Sequence, residues 1–421
     1  MATLPFPLDR NRPNRGRARR RTRSSPIADA LAHPQASFYL VLVPTVLLLS
    51  LGMMMVLSAS SVLGSVRFGD AYYFVKRQIF FLAVGGVAAI VLSRMQPRAL
   101  KILGWALVVA ALVLQMLTFT PLGWGEAKGN QNWVQFGTSF FRIQPSELAK
   151  LAIIMWGADL LARKQKLLDQ PKHLLVPFVP VSALLIGLVV LQHDLGTGMI
   201  MGAIVVAILW YVGASWKILA SIGAVVGAAV LALVITSGNR MDRILGFLNA
   251  GHDTMGVNMQ PMRGIFALAS GGWWGLGLGG SRQKWGSLAE AHTDYVLAII
   301  GEELGLVGTL VVLSLFLVLG YAGFRIALRS DLPFCRYLAA GVTSWLMIQA
   351  LVNIMVVLRM VPVLGVTLPL LSYGGSGLMA NLAGIGLLLA CAKLEPDARR
   401  LAERKKRKGG KPVTVVESRR A

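Results

Sequence analysis

Ten apolar runs, each long enough to cross a hydrocarbon core about 30 Å thick, dominate this chain. They fall near residues 38–61, 77–94, 99–119, 147–163, 174–192, 195–212, 215–236, 295–322, 337–358 and 371–392. Inside a bilayer the backbone must satisfy its own hydrogen bonds, so runs of this length have to be helical. The expected fold class is all-α: a polytopic integral membrane protein with about ten transmembrane helices. Composition agrees, because 55% of the 421 residues are hydrophobic and 14% are charged, too little polar surface to clothe a water-soluble core.

An even number of spans puts both termini on one side. Lys and Arg gather in the tails and in alternate connections: Arg94, Arg98 and Lys101; Arg163, Lys164, Lys166 and Lys172; Arg325, Arg329 and Arg336. The positive-inside rule makes that side cytoplasmic. The formal charge of +23 does not point to nucleic acid, because the basic residues line no single groove. Residues 1–37 and 393–421 read as basic, disordered cytoplasmic tails suited to anionic headgroups. Residues 38–392 form the membrane domain, with a long extracytoplasmic loop at 237–294. The first apolar run is long and lacks a small-residue cleavage site, so it reads as a retained anchor. Cys335 and Cys391 are too few for a disulfide framework.

Polar residues concentrate in two outer segments, 120–146 and 237–294, and loops of such length usually carry function. The first ends in Gln144-Pro145-Ser146-Glu147, a good helix start. Lys150, a turn into that apolar helix, calls for a partner. Asp194 can simply cap the helix after the short turn at Gln192–His193, and no second ligand beside His193 suggests zinc. Gly271–Gly280 looks like a nucleotide fingerprint but follows no strand, so its glycines are read as a bend near the interface anchored by Trp273 and Trp274. Arg263, Arg282 and Lys284 face outward against the usual bias and suit phosphate or anionic lipid. Asp294 closes the long loop as either a helix cap or a chemical carboxylate. Together with Glu302 and Glu303, it implies a buried polar site. Ser372, Arg359, Gln349 and Asn353 add polar groups in the same half of the bundle.

Five motifs appear in the order of a known family: Gln144–Lys150 (QPSELAK), Asp194–Thr197 (DLGT), Glu290–Asp294 (EAHTD), Ile300–Gly305 (IGEELG) and Thr367–Gly377 (TLPLLSYGGSG). Across essentially the whole membrane portion the chain resembles the SEDS proteins (shape, elongation, division and sporulation), the FtsW/RodA/SpoVE family. Ser58–Ser61 and Thr367 before Leu368-Pro369 look more like its division members than its elongation members.

The resemblance implies a peptidoglycan glycosyltransferase that polymerises lipid II into glycan strands at the outer face of the cytoplasmic membrane, at the division septum. It implies a class B penicillin-binding transpeptidase and other division-complex membrane proteins as partners. The family's essential aspartate maps onto Asp294, a general base for attack of the acceptor 4-hydroxyl with undecaprenyl pyrophosphate leaving. Supporting or substrate contacts are expected from Lys150, Glu147, Arg142, Asp194, Gln260, Arg263, Lys284, His292, Glu302, Arg359 and Ser372. Arg263, Arg282, Lys284 or Arg359 is expected to offset charge on the leaving group, with Lys150 pairing directly with Asp294. A divalent cation, magnesium or manganese, is compatible with this chemistry; no metal ligands and no other cofactor are assigned. Many family members carry Gln-Ser where this chain has Arg263-Gly264. Residue spacing alone also accommodates a lipid II flippase or a non-catalytic scaffold for the transpeptidase.

Overall fold

The computed structural model describes residues 31–125, 131–135, 137, 142–248, 258–285 and 288–409. The spans are α1 (Ala36–Phe68), α2 (Tyr73–Arg94), α3 (Pro97–Leu117), α4 (Pro145–Arg163), the pair α5 (Pro171–Leu175) and α6 (Phe178–Leu191), α7 (Leu195–Val212), α8 (Trp216–Ile235), α11 (Val296–Arg329), α12 (Pro333–Val357) and α13 (Gly375–Lys393). Among the described residues nine helices, counting α5 with α6 as one span, are long and apolar enough to cross a membrane. The expected tenth, α4, carries Glu147, Lys150 and Asp159 and lies in the middle of the bundle. Between Pro145 and Leu161 every residue but Leu148 is buried. By contrast α8 buries only Leu219 and Val234 and turns the rest of its surface to lipid.

Local chemistry marks the helix ends. Proline opens α3, α4 and α12, where its missing N–H is not needed. Asp194 caps α7 by accepting from Thr197 N at 3.0 Å, and Gly69 closes α1 in the left-handed region with its N–H on Ser65 O. α1 runs to Phe68, beyond the expected end at residue 61, because Val62 to Phe68 continue the helix to that glycine.

Both long polar segments are structured in part. Segment 120–146 contains a three-stranded antiparallel sheet of β1 (Gly123–Trp124), β2 (Trp133–Gln135) and β3 (Arg142–Ile143), with Gln135 opposite Arg142. Segment 237–294 contains α9 (Gly238–Leu248) and α10 (Met259–Gly271). The tail read as disordered begins as a helix, α14 (Pro396–Gly409), whose Asp397 pairs with Arg329 at 3.1 Å; the amino-terminal tail through residue 30 lies outside the described residues.

The glycine-rich stretch after α10 has a definite task. α11 breaks at Gly305, which takes φ 68° and ψ −166°, a conformation open essentially to glycine. The hairpin at 271–280 takes up the backbone groups this break releases. Leu276 and Gly277 donate to Glu302 O and Glu303 O at 2.9 and 3.0 Å, and Leu306 donates to Gly272 O at 2.9 Å. A Cβ on Gly275 would strike the backbone of Glu303 and Gly305, and one on Gly305 the backbone of Trp273 and Gly275. Trp273 and Trp274 are exposed beside it, as an interfacial anchor requires.

Candidate active site

At one end of the bundle, where α2, α4, α7, α11 and α13 begin, a cavity of about 1570 Å³ opens. Five helix N-termini give that end a favourable field for negative charge. Its wall includes 361–367, a segment without regular structure that two amides of α12 hold in place. Gln349 Nε2 donates to Thr367 O at 3.1 Å, and Asn353 Nδ2 donates to Val366 O at 2.7 Å. The same Asn353 nitrogen donates to Asp294 O at 2.7 Å. Ser372, buried behind this wall, accepts from Leu368 N at 2.9 Å and is a support rather than a lining residue.

Asp294 lines the cavity and is half-buried. It does not cap α11: the N-cap position belongs to Tyr295, and the Asp294 amide is turned back onto Glu290 O at 3.2 Å. Its carboxylate faces the wall at Gly365, where a Cβ would lie 3.8 Å from Oδ2. Two residues before it, His292 packs between Phe74 and Tyr373, with ring centroids 4.8 and 5.4 Å away, and its carbonyl accepts from Tyr373 N at 2.8 Å. Burial, aided by Arg67 and opposed by Glu290, holds the imidazole below its ordinary pKa. Burial likewise pushes the Tyr373 phenol up to about 12, against Arg77 and Arg142 nearby.

The expected direct pairing of Lys150 with Asp294 gives way to another arrangement. Lys150 Nζ donates to Glu147 Oε1 at 2.8 Å and to Gln349 Oε1 at 3.0 Å, and lies over the Trp345 ring. Glu147, one turn earlier on the same helix, is its acid partner, and Gln349, which it also meets, lies one turn before Asn353 on α12. Glu147 lines the cavity and keeps Oε2 without a hydrogen-bond partner, although it is buried. Asp194 lines it too, gathering Thr197, Asn132 and Gln144 around one carboxylate. Arg142 lies 3.5 Å over the Trp124 ring and donates to Gln135 Oε1 at 3.0 Å.

Gln260 and Lys284 line the cavity; Arg263, Arg282, Glu302 and Arg359 do not. Glu302 accepts from Ser281 Oγ at 2.5 Å and Arg282 N at 2.9 Å, locking the glycine-rich hairpin onto α11. Glu303 accepts from Ser58 Oγ and Lys284 Nζ at 2.6 and 3.2 Å, and Lys284 also donates to Gly279 O. Arg359 is directed to Met262. The two glutamates expected in one site with Asp294 therefore belong to a neighbouring structural cluster. They lie eight and nine residues along the helix from it, roughly 12 Å by helical rise.

Four cavity arginines escape the sequence reading: Arg67 and Arg77 at the α1–α2 turn, and Arg240 and Arg243 on α9. Sequence counts them only toward orientation, yet basic residues on the side that should be poor in them were the available signal. Among the described residues no group of three or more His, Cys, Asp or Glu is placed to hold a metal. A second, apolar groove of about 720 Å³ between α7 and α8 shares Met199 and Val230 with the cavity.

The model for the cell cycle protein family FtsW/RodA/SpoVE matches residues 39–395. A relative named probable peptidoglycan glycosyltransferase FtsW, from Mycobacterium tuberculosis, is 40% identical over 386 residues, covering 91% of this chain and 72% of the relative. Stage V sporulation protein E of Bacillus subtilis is 37% identical over 353 residues, covering 83% and 95%. Among solved structures, a chain from work on structural coordination of polymerization and crosslinking by a peptidoglycan synthase complex superposes with a TM-score of 0.66 at 27% identity. That match covers 84% of this chain and 96% of the other.

Proposed function

The chain belongs to the FtsW/RodA/SpoVE family of cell cycle proteins, and from that membership we infer that it is a peptidoglycan glycosyltransferase that polymerises lipid II. The observation that carries the mechanism is Asp294, whose backbone Asn353 fixes on the wall of a cavity that also presents several arginines, outside the N-cap position of α11. In this reading the Asp294 carboxylate takes the proton from the acceptor sugar's 4-hydroxyl. That oxygen attacks the anomeric carbon of the donor, and the bond to the lipid diphosphate breaks with its electrons going to the diphosphate. Cavity arginines and the helix N-termini stabilise the departing charge. The apolar groove between α7 and α8, which shares Met199 and Val230 with the cavity, has the character an isoprenoid tail needs. Magnesium or manganese, where used, would be held largely by substrate oxygens.

With both termini cytoplasmic, as the charge bias requires, the cavity opens on the outer face, where lipid II and the nascent strand meet. The relative solved within a peptidoglycan synthase complex supports a class B penicillin-binding transpeptidase as partner, and the relatives named FtsW support action at the septum with other division proteins. The test supplies lipid II to the purified protein on one side of a vesicle, with and without the transpeptidase. Glycan product without lipid transfer between leaflets is expected. Transfer without glycan would favour a flippase, and neither would favour a scaffold.

A further inference from the structure

We propose that Lys284 is a positioning residue for glycosyl transfer: with Glu303 and Ser58 it closes a clasp that holds the turn carrying Asp294. The proposal rests on the reading of Asp294 as the base and names what keeps that base in place. Lys284 stands ten residues before Asp294 and Glu303 nine after it. Their ion pair, 3.2 Å from Nζ to Oε1, therefore closes a loop with Asp294 near its middle.

Lys284 lines the cavity, yet its hydrogen bonds point the other way. An ammonium has three N–H donors. Those of Lys284 meet Ser58 Oγ at 3.1 Å, Gly279 O at 2.7 Å and Glu303 Oε1 at 3.2 Å, which leaves none for a phosphate or a sugar. The pair is dry, with 5% of the Lys284 side chain and 0% of the Glu303 side chain exposed. Glu303 Oε1 also accepts from Ser58 Oγ at 2.6 Å and from Ser281 N at 3.3 Å. Thus α1, α11 and the end of the glycine-rich stretch meet at one carboxylate oxygen, and residues of the Ser58–Ser61 and Ile300–Gly305 motifs acquire a shared task.

The chain between Lys284 and Asp294 needs such a hold. Trp285 is exposed, and Glu290 takes φ 55°, a left-handed conformation that its side chain disfavours. The Glu290 carbonyl collects the amides of Thr293, Asp294 and Tyr295, each at 3.2 Å, so this strained turn sets where Asp294 sits. Strain of that kind persists only where the surroundings over-determine it. Downstream, Tyr373 N on His292 O and Asn353 on Asp294 O hold the turn. Upstream, among the described residues, hydrogen bonds to the helices come from Lys284, backed by Ser281 and Arg282 on Glu302.

The test uses the full-length protein in lipid nanodiscs, with lipid II polymerisation and hydrogen–deuterium exchange of residues 288–296 read on the same preparations. Lys284→Met with Glu303→Leu removes both charges together and leaves no lone buried charge to unfold the bundle. This double variant is expected to lower kcat about ten- to hundredfold, the worth of a misplaced group, with KM within about twofold of wild type. Exchange at 288–296 should quicken while α12 and α13 stay protected. Ser58→Ala, which is off the cavity wall, should act in the same direction and less. A loss that falls on KM instead of kcat would make Lys284 a substrate contact and overturn the proposal. A double variant with kcat within about twofold of wild type overturns it as well, and so does unchanged exchange at 288–296 in both variants. Should the double variant lose protection throughout α12 and α13, Ser58→Ala decides alone: quicker exchange at 288–296 supports the clasp and unchanged exchange overturns it. Exchange does not depend on turnover, so quicker exchange in a protein whose wild type makes no glycan would contradict the polymerase reading and leave the clasp standing.

Discussion

Asn353 Nδ2 and the backbone carbonyl of Asp294 are joined by a 2.7 Å hydrogen bond, and the same nitrogen reaches Val366 O at 2.7 Å. A buried amide thus ties the turn that carries Asp294 to the wall it faces. Asn353→Ala removes the tie and leaves two carbonyls without this donor, which costs about 1–3 kcal/mol. If the loss appears in positioning, kcat falls roughly ten- to hundredfold with a smaller change in KM. Asn353→Asp should be no better, since a carboxylate cannot donate. Steady-state polymerisation by purified variants checks both.

Lys150 and Glu147 form an ion pair at 2.8 Å with both side chains nearly out of solvent. Removing one member leaves an uncompensated buried charge, a penalty of about 3–5 kcal/mol. Lys150→Ala should therefore lose polymerase activity and lower the thermal midpoint. The double variant Lys150→Met with Glu147→Gln should melt above Lys150→Ala. A double variant melting at or below the single one would remove the ion pair as the explanation.

These two groups also mark how far sequence reaches. The spans were legible because lipid imposes length and apolarity on them, and α4 was legible despite its charges because Leu151 to Trp156 are continuously apolar. Asp294 stood out through its motif, and the structure places it on the cavity wall. Glu147, three residues before Lys150 on the same face, was legible as its neighbour; the second partner was not, because Gln349 is 199 residues away and arrives only when α12 packs on α4. Glu302 and Glu303 were misplaced because closeness in sequence along a helix is distance in space. Arg243 stood out in sequence only as a basic residue on the side poor in them; its neighbour Val363 is brought to it by tertiary packing.

Gly305 permits the break in α11 and the close approach of Gly275. Gly305→Ala meets both backbone strain of about 1–3 kcal/mol and a steric clash. Lower protein levels and a lower thermal midpoint are expected, with Gly275→Ala behaving alike. Quantified membrane fractions and detergent-phase melts check this; a variant at wild-type level and midpoint would contradict the hairpin's role.

His292 gives the site a pH dependence. Burial depresses its folded-state pKa below the ordinary 6.5, so the folded protein binds fewer protons there than the unfolded chain. The stability from burying the neutral ring is whole above about pH 6.5 and is lost as pH falls through the lowered folded value. The thermal midpoint of wild type should drop between pH 7.5 and 5.5 by more than that of His292→Phe. Parallel drops would show that other groups govern it.

The most direct test of the account is the rate of lipid II polymerisation by purified Asp294→Asn, which keeps the shape of the side chain and removes its basicity. The rate should fall by about 10²–10⁴-fold relative to wild type, the usual worth of a general base, with the protein monodisperse and its melt unchanged. Polymerisation by Asp294→Asn within tenfold of wild type would contradict Asp294 as the base.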